Sequence, residues 1–141
     1  MSPDIELLGI YLHLSRASQQ RGQHIKRDRF LVLSAGIAAG LGLVTITAYC
    51  RKLVLEHNPG HMLRHWSSVE EAITDADFLN FCRILRRRYP REKAEQLLIE
   101  LGIDCEGERA AYYSDEEYAA ALLGTNPAQI ARQVENSDPD G

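Results

Sequence analysis

The sequence predicts an all-α fold of about seven to nine helices, and three observations support that prediction. Apolar residues recur every three or four positions through most of the 141-residue chain, which is the spacing of one helix face. Capping residues and prolines precede these apolar segments, and glycines follow several of them. No alternating apolar segment stands between hairpin turns, so no β-strand is predicted.

The first helix is predicted to begin at Pro3 and to end near Gly22. Ser2 is a suitable N-cap, and proline suits the first helical position because its fixed φ matches the helix. The apolar positions that follow form two rows at helical spacing: Ile5, Leu8, Leu12 and Leu7, Tyr11, Leu14. A polar connector at residues 23–27 precedes the next apolar segment.

The central segment, residues 31–50, contains twenty consecutive residues without a charged side chain. Its length matches a membrane-spanning helix, and basic residues flank both ends. However, Gly40 and Gly42 interrupt it near the middle, and the apolar face of its second half continues past residue 50 to His57. We therefore predict a buried helical hairpin over about residues 28–57, with its turn at Gly40-Leu41-Gly42. A single-pass membrane-attached protein, anchored through residues 31–50, is an alternative.

Several positions of the predicted hairpin fit a known helical repeat. They are, in chain order, Phe30, Leu33, Ser34, Ile37, Cys50, Leu53 and Asn58-Pro59. On these positions residues 28–59 resemble a tetratricopeptide-repeat (TPR) helical hairpin. No second copy follows at the 34-residue period of that family. The resemblance implies a style of helix packing, with a protein-binding groove as an expectation.

Residues 30–42 also resemble the opening of a short-chain dehydrogenase. The glycines of GIAAGLG at residues 36–42 and the spacing of Tyr89 and Lys93 carry this resemblance, which implies a cofactor pyrophosphate at a helix N-terminus. That fold needs a second strand after the helix, but His-Asn-Pro-Gly-His follows instead. It also needs an unbroken helix where Pro90 stands. We therefore predict no cofactor, no catalytic residue and no enzymatic activity.

Six further helical segments are predicted after the hairpin, each from a residue that caps or starts a helix. They are Asn58-Pro59 to His65, a short segment opened by Ser67 or Ser68, Thr74 (with Asp77 as its capping-box partner) to Arg88, Pro90 to Gly102, Ser114 to Gly124, and Asn126-Pro127 onward. We expect one helical domain over residues 1–135 and a disordered acidic tail over residues 136–141.

Charge is distributed unevenly along the chain, although the net charge is only −4. Residues 1–65 carry eight Lys/Arg against four Asp/Glu, whereas residues 101–141 carry two against nine. Such regions attract each other or different partners. The three cysteines form no CxxC pair, and residues 1–6 lack the basic start of a secretory signal. We therefore predict a soluble protein of a reducing, bacterial-type cytoplasm.

A histidine cluster supports a second alternative function, a small helical metal- or ligand-binding protein. Its candidate ligands are His57, His61 and His65. Histidines four residues apart on one helix face project in the same direction and can share a metal. His61 and His65 meet this condition if a helix begins at Pro59. The prediction retained is that no metal is bound, and that these histidines are surface or helix-end groups.

The densest basic cluster lies around the end of the helix predicted to finish at Arg88. The arginines of this cluster are expected to form the outward face of that helix, opposite Ile84 and Leu85. Tyr89 directly follows the helix. Arginines beside an aromatic ring can bind nucleic acid, but the overall charge is negative and glutamates lie close by. We therefore predict a non-enzymatic interaction or adaptor module that binds a protein partner, with self-association left open. The partner-binding candidates are Arg83, Arg86, Arg87 and Tyr89.

Overall fold

The structure, a computed structural model, describes residues 3–136 of the chain, with side chains from residue 4 to residue 134. Within that range the chain forms eight α-helices, two short 3-10 helices and no strand, which confirms the all-α prediction. The α-helices are α1 (Pro3–Gln20), α2 (His24–Gly40), α3 (Val44–His57), α4 (Val69–Ala72), α5 (Ala76–Arg88), α6 (Arg91–Glu100), α7 (Asp115–Leu122) and α8 (Pro127–Asn136). The 3-10 helices are Met62–His65 and Glu108–Ala111.

The first three helices form two consecutive helical hairpins. α1 packs along α2, and α2 packs along α3. The second turn is a Schellman motif, because the N–H of Gly42 bonds to the carbonyl of Ala39 and that of Leu43 to the carbonyl of Ala38. Gly42 has φ +76°, a left-handed conformation that glycine adopts without steric cost.

The uncharged run is therefore divided between two helices, as its glycines predict. Residues 31–40 belong to α2 and residues 44–50 to α3. Among residues 3–136, no helix is both long enough and apolar enough to span a membrane.

α2 is the central helix of the fold. Six consecutive residues, 30–35, are all buried, so every side of this helix is covered. α1, α3, α4 and α5 supply that cover. The ring of Phe30 lies between two tyrosines, with centroid distances of 6.2 Å to Tyr11 and 4.7 Å to Tyr89. This continuous burial accounts for the absence of charge in the first part of the uncharged run, residues 31–35.

The remaining helices pack on this centre. α5 packs on α2, α6 and α7 pack on α1, and α8 packs mainly on α3. Several predicted caps are present: the side chain of Ser68 accepts a hydrogen bond from the Glu71 N–H (3.1 Å), and that of Ser114 accepts one from the Glu117 N–H (3.1 Å). α8 runs to Asn136, the first residue of the predicted disordered tail, and the rest of that tail, residues 137–141, lies outside the described residues.

Three predicted helix starts are wrong in position. α2 begins at His24, within the predicted polar connector of residues 23–27. α5 is capped by Asp75 rather than Thr74, since the Asp75 carboxylate accepts the N–H of Asp77 at 2.8 Å. The segment after residue 59 begins as a turn, and its 3-10 helix starts only at Met62. His61 is the N-cap there, because its Nδ1 accepts the N–H of Leu63 at 3.1 Å. At the start of α5, both Thr74 and Asp75 have side chains that can cap a helix. The choice between them therefore depends on tertiary packing.

Candidate functional site

α5 has one face on the core and one face in solvent. Its buried stripe consists of Phe78 and Leu85, with Phe81 and Cys82 half-buried beside them. We call the opposite side the α5 surface, which consists of Leu79, Arg83, Ile84 and Arg87. These positions recur at three- and four-residue intervals, so their side chains form one continuous strip. Arg86 is exposed at the border of this surface, and its guanidinium also interacts with the hydroxyl of the buried Tyr11.

The α5 surface contains apolar residues that the sequence did not assign to it. Leu79 is 45% exposed and Ile84 is 54% exposed. The prediction that Ile84 faces the core beside Leu85 is therefore wrong. The reason is that α5 packs mainly on one helix, α2, so its buried stripe is narrow and Ile84 lies beyond its edge.

Tyr89 is not part of the α5 surface, which corrects its prediction as a partner-binding residue. It is only 5% exposed, and its ring packs on Phe30. Its backbone carbonyl accepts a hydrogen bond from the Tyr11 hydroxyl. The chain turns into the core immediately after Arg88, and this turn buries the ring.

The arginines of the α5 surface have no carboxylate partner within residues 4–134. The ion pairs in that range do not include Arg83, Arg86 or Arg87. By contrast, the nearby Arg91 pairs with Glu6 (2.9 Å) and Glu95 (2.8 Å). Arg83 and Arg87 are four residues apart, and like charges at this spacing weaken a helix. Their charges are thus available to a negatively charged partner.

The three predicted histidines have different surroundings. His61 packs edge-on against Phe81 (6.0 Å), and burial lowers its pKa. His65 is exposed beside Trp66. His57 faces Asp28 instead. In the part of the chain that the structure describes, no three His, Cys, Asp or Glu side chains are grouped to hold a metal ion.

A buried ionic cluster connects the start of α2 to the end of α3. Arg27 and Asp28 are 8% and 6% exposed, and Arg27 Nη2 lies 3.1 Å from Asp28 Oδ1. The second carboxylate oxygen, Oδ2, lies 2.5 Å from Nδ1 of His57. The sequence analysis missed this cluster. Its only signal is that Asp28 is the one acidic residue between Glu6 and Glu56.

His57 also borders an open depression of about 530 Å³. Its lining includes the basic side chains of His24, Lys26 and Arg29. A smaller cavity of about 220 Å³ lies between α1, α2 and α6, and this volume is below the roughly 300–1,000 Å³ of typical ligand pockets. The depression beside His57 is shallow and open to solvent, whereas the smaller cavity is more enclosed.

The cysteines are free thiols with little nucleophilic character. Burial raises the pKa of the Cys50 thiol to about 12 and that of Cys82 to about 11. Burial also raises the pKa of Cys105, and neighbouring carboxylates, Glu108 first, add to this effect. Because the thiolate is the reactive form, none of the three is prepared for nucleophilic chemistry.

Comparisons of the chain with protein-family models, with curated proteins and with solved structures found no match.

Proposed function

We propose that this chain is a non-enzymatic interaction module that binds an acidic, amphipathic segment of a partner protein on the α5 surface. One observation carries the proposal. Leu79 and Ile84 are exposed beside Arg83 and Arg87, and no carboxylate in residues 4–134 pairs with these arginines. Exposed apolar groups next to uncompensated charge are typical of a surface that another molecule covers.

The chemistry of this surface defines its partner. An amphipathic segment would bury its apolar side chains against Leu79 and Ile84 while its carboxylates pair with the arginines. Arginine suits this role because its planar guanidinium binds a carboxylate through two hydrogen bonds. The 13 residues of α5 extend over roughly 20 Å, which matches a partner helix of three to four turns.

Two further aspects belong to the same proposal. The three free cysteines suit a reducing cytoplasm, which we propose as the location; a bacterial source stays a prediction.

The TPR-like resemblance of residues 28–59 also stays a prediction, and it concerns the packing of helices. Because α2 is covered on every side over residues 30–35, the partner surface that we propose lies on α5 rather than on that part of α2.

The test uses a defined peptide because the natural partner is not identified. The probe is a synthetic amphipathic helix with leucines on one face and glutamates beside them, labelled for fluorescence anisotropy. We expect the double substitution Arg83→Glu with Arg87→Glu to weaken binding by about tenfold or more, as loss of two charge-assisted contacts implies. Leu79→Ser with Ile84→Ser should weaken it similarly.

The matched control reverses two charges elsewhere, Arg16→Glu with Arg132→Glu, and should retain the affinity of the unmodified chain. Both control residues are exposed. Equal loss in this control, or full binding by either α5 variant, would contradict the proposal. So would sedimentation of the chain as a dimer that the α5 substitutions dissociate, because a second copy would then be the occupant. A peptide without leucines that binds as tightly would also overturn it.

A further inference from the structure

The imidazole of His57 is held in one orientation by a buried carboxylate. Asp28 Oδ2 lies 2.5 Å from Nδ1 of His57. The other oxygen, Oδ1, accepts hydrogen bonds from Arg27 Nη2 (3.1 Å) and Nε (3.3 Å). Arg27 is fixed in turn, since it donates to the Leu53 carbonyl at 2.9 Å and to Gln19 Oε1 at 3.2 Å. The position of the ring is therefore determined by three helices.

This arrangement determines which ring nitrogen is available for chemistry. When Nδ1 donates its proton to Asp28, the lone pair of the neutral imidazole is on Nε2. No group within residues 4–134 forms a hydrogen bond with Nε2. The side chain is 35% exposed and borders the open depression. Nε2 of His57 is thus an accessible nucleophile in a fixed orientation.

The depression around this nitrogen is positively charged. Lys26 and Arg29 line it, and neither forms an ion pair within the described range. The His24 ring lies 5.2 Å from the His57 ring, centroid to centroid. The nearest acidic residue in sequence, Glu56, is paired with Lys52 at 2.8 Å. The surroundings of Nε2 therefore favour a multiply charged anion over a neutral group.

We propose that Nε2 of His57 is a phosphoryl-acceptor site whose donor is an acyl phosphate or a phosphoramidate. The Nε2 lone pair forms the new bond to phosphorus while the bond from phosphorus to the donor breaks. The donor then leaves as a carboxylate, or as an amine (ammonia for phosphoramidate itself) whose nitrogen is protonated before the bond breaks. Nδ1 keeps its proton, so the phosphorylated ring carries a positive charge that the Asp28 carboxylate stabilises. Lys26 and Arg29 pair with the phosphoryl oxygens.

The inference is independent of the proposed partner surface, because none of its residues belongs to α5. Transfer of an acyl or alkyl group to His57 fits less well, because a neutral group would not be attracted by Lys26 and Arg29 in the depression. Metal binding also fits less well, because Asp28 and His57 have no third ligand in the described part of the chain.

The first experiment treats the whole chain with potassium phosphoramidate near neutral pH and measures its mass. We expect an acid-labile gain of one phosphoryl group, which peptide mapping places on His57. His65 is the internal control because it is exposed and no carboxylate of residues 4–134 pairs with its ring. No labelling of His57, or labelling no faster than that of His65, would overturn the proposal.

The second experiment tests the surroundings of the nitrogen. Lys26→Gln with Arg29→Gln should slow labelling of His57, and Asp28→Asn should slow it by about tenfold or more, as loss of a carboxylate behind a histidine implies. Arg83→Gln with Arg87→Gln removes two charges elsewhere and should leave the rate unchanged. If Asp28→Asn does not fold, the Lys26/Arg29 pair decides: an unchanged rate there would overturn the proposal.

Discussion

The hydroxyl of Tyr11 donates a hydrogen bond to the backbone carbonyl of Tyr89, 2.5 Å away and 78 positions later in the chain. Tyr11 lies in α1, and Tyr89 is the C-cap that follows α5. Phe30 of α2 packs against both rings. The side chain of Tyr11 thus holds the backbone at the point where the chain leaves α5 and turns toward α6.

Removing this hydrogen bond should destabilise the fold. Tyr11→Phe keeps the buried ring but leaves the Tyr89 carbonyl without its partner, which costs about 1–3 kcal/mol of unfolding free energy. Urea denaturation followed by circular dichroism measures the loss. Tyr113→Phe is the control, because Tyr113 is 93% exposed, and its effect should stay within about 0.5 kcal/mol. Equal effects of the two substitutions would contradict this prediction.

α1 and α7 approach closely at Gly9. A Cβ at this position would lie 2.3 Å from the hydroxyl oxygen of Tyr118 and 3.0 Å from its Cζ. Gly9→Ala should therefore lower the unfolding free energy by about 1–3 kcal/mol through overpacking. Thermal unfolding measures the change.

Two further variants separate overpacking from a general effect of alanine. Gly40→Ala is the control, because nothing lies within 4 Å of a Cβ there, and it should not destabilise. Tyr118→Phe removes the atom nearest to the new methyl group. The double variant Gly9→Ala with Tyr118→Phe should therefore be more stable than additivity of the single effects allows. Strict additivity would indicate that the two residues do not compete for space.

The buried ionic cluster should be sensitive to the loss of its cation. Arg27→Ala leaves the Asp28 carboxylate buried beside only His57, and breaking a buried pair in this way typically costs about 3–5 kcal/mol. Lys52→Ala breaks the pair with Glu56, whose side chain is 58% exposed, and should cost only about 0.3–0.5 kcal/mol. Chemical denaturation of both variants provides the comparison. A small effect of Arg27→Ala would show that the cluster contributes little to stability.

Stability should fall at alkaline pH because of the buried thiols. Burial raises the Cys50 pKa from 9.0 to about 12, so between these values the unfolded chain releases a proton that the folded chain retains. The unfolding free energy then falls as pH rises, by up to about 1.4 kcal/mol per pH unit for this one group. Cys82 acts in the same direction.

The measurement is the unfolding free energy as a function of pH from about 8 upward, for the unmodified chain and for Cys50→Ala. Below pH 9 the thiol makes no pH-dependent contribution. Above pH 9, the unfolding free energy of Cys50→Ala should fall less steeply with pH than that of the unmodified chain. Parallel curves would mean that Cys50 is not shielded from solvent in the folded protein.

The sequence predicts those features that depend only on residues close to one another along the chain. The turn at Gly42 follows from glycines inside an apolar run, and the caps at Ser68 and Ser114 follow from hydroxyl side chains before helical segments. The exposure of Ile84 does not follow, because periodicity cannot say how many neighbours cover a helix. The contact of Asp28 with His57 spans 29 residues, and it depends on how α2 and α3 align.

The two short turns that join α1 to α2 and α2 to α3 also affect the order in which the chain folds. Contacts between helices that follow one another close small loops, and small loops lose little entropy on closure. We expect these three helices to associate early, and α5 to add its narrow face to a surface that already exists. The contact between Tyr11 and Tyr89, like the packing of α6 and α7 on α1, would then form later in folding, because each closes a long loop.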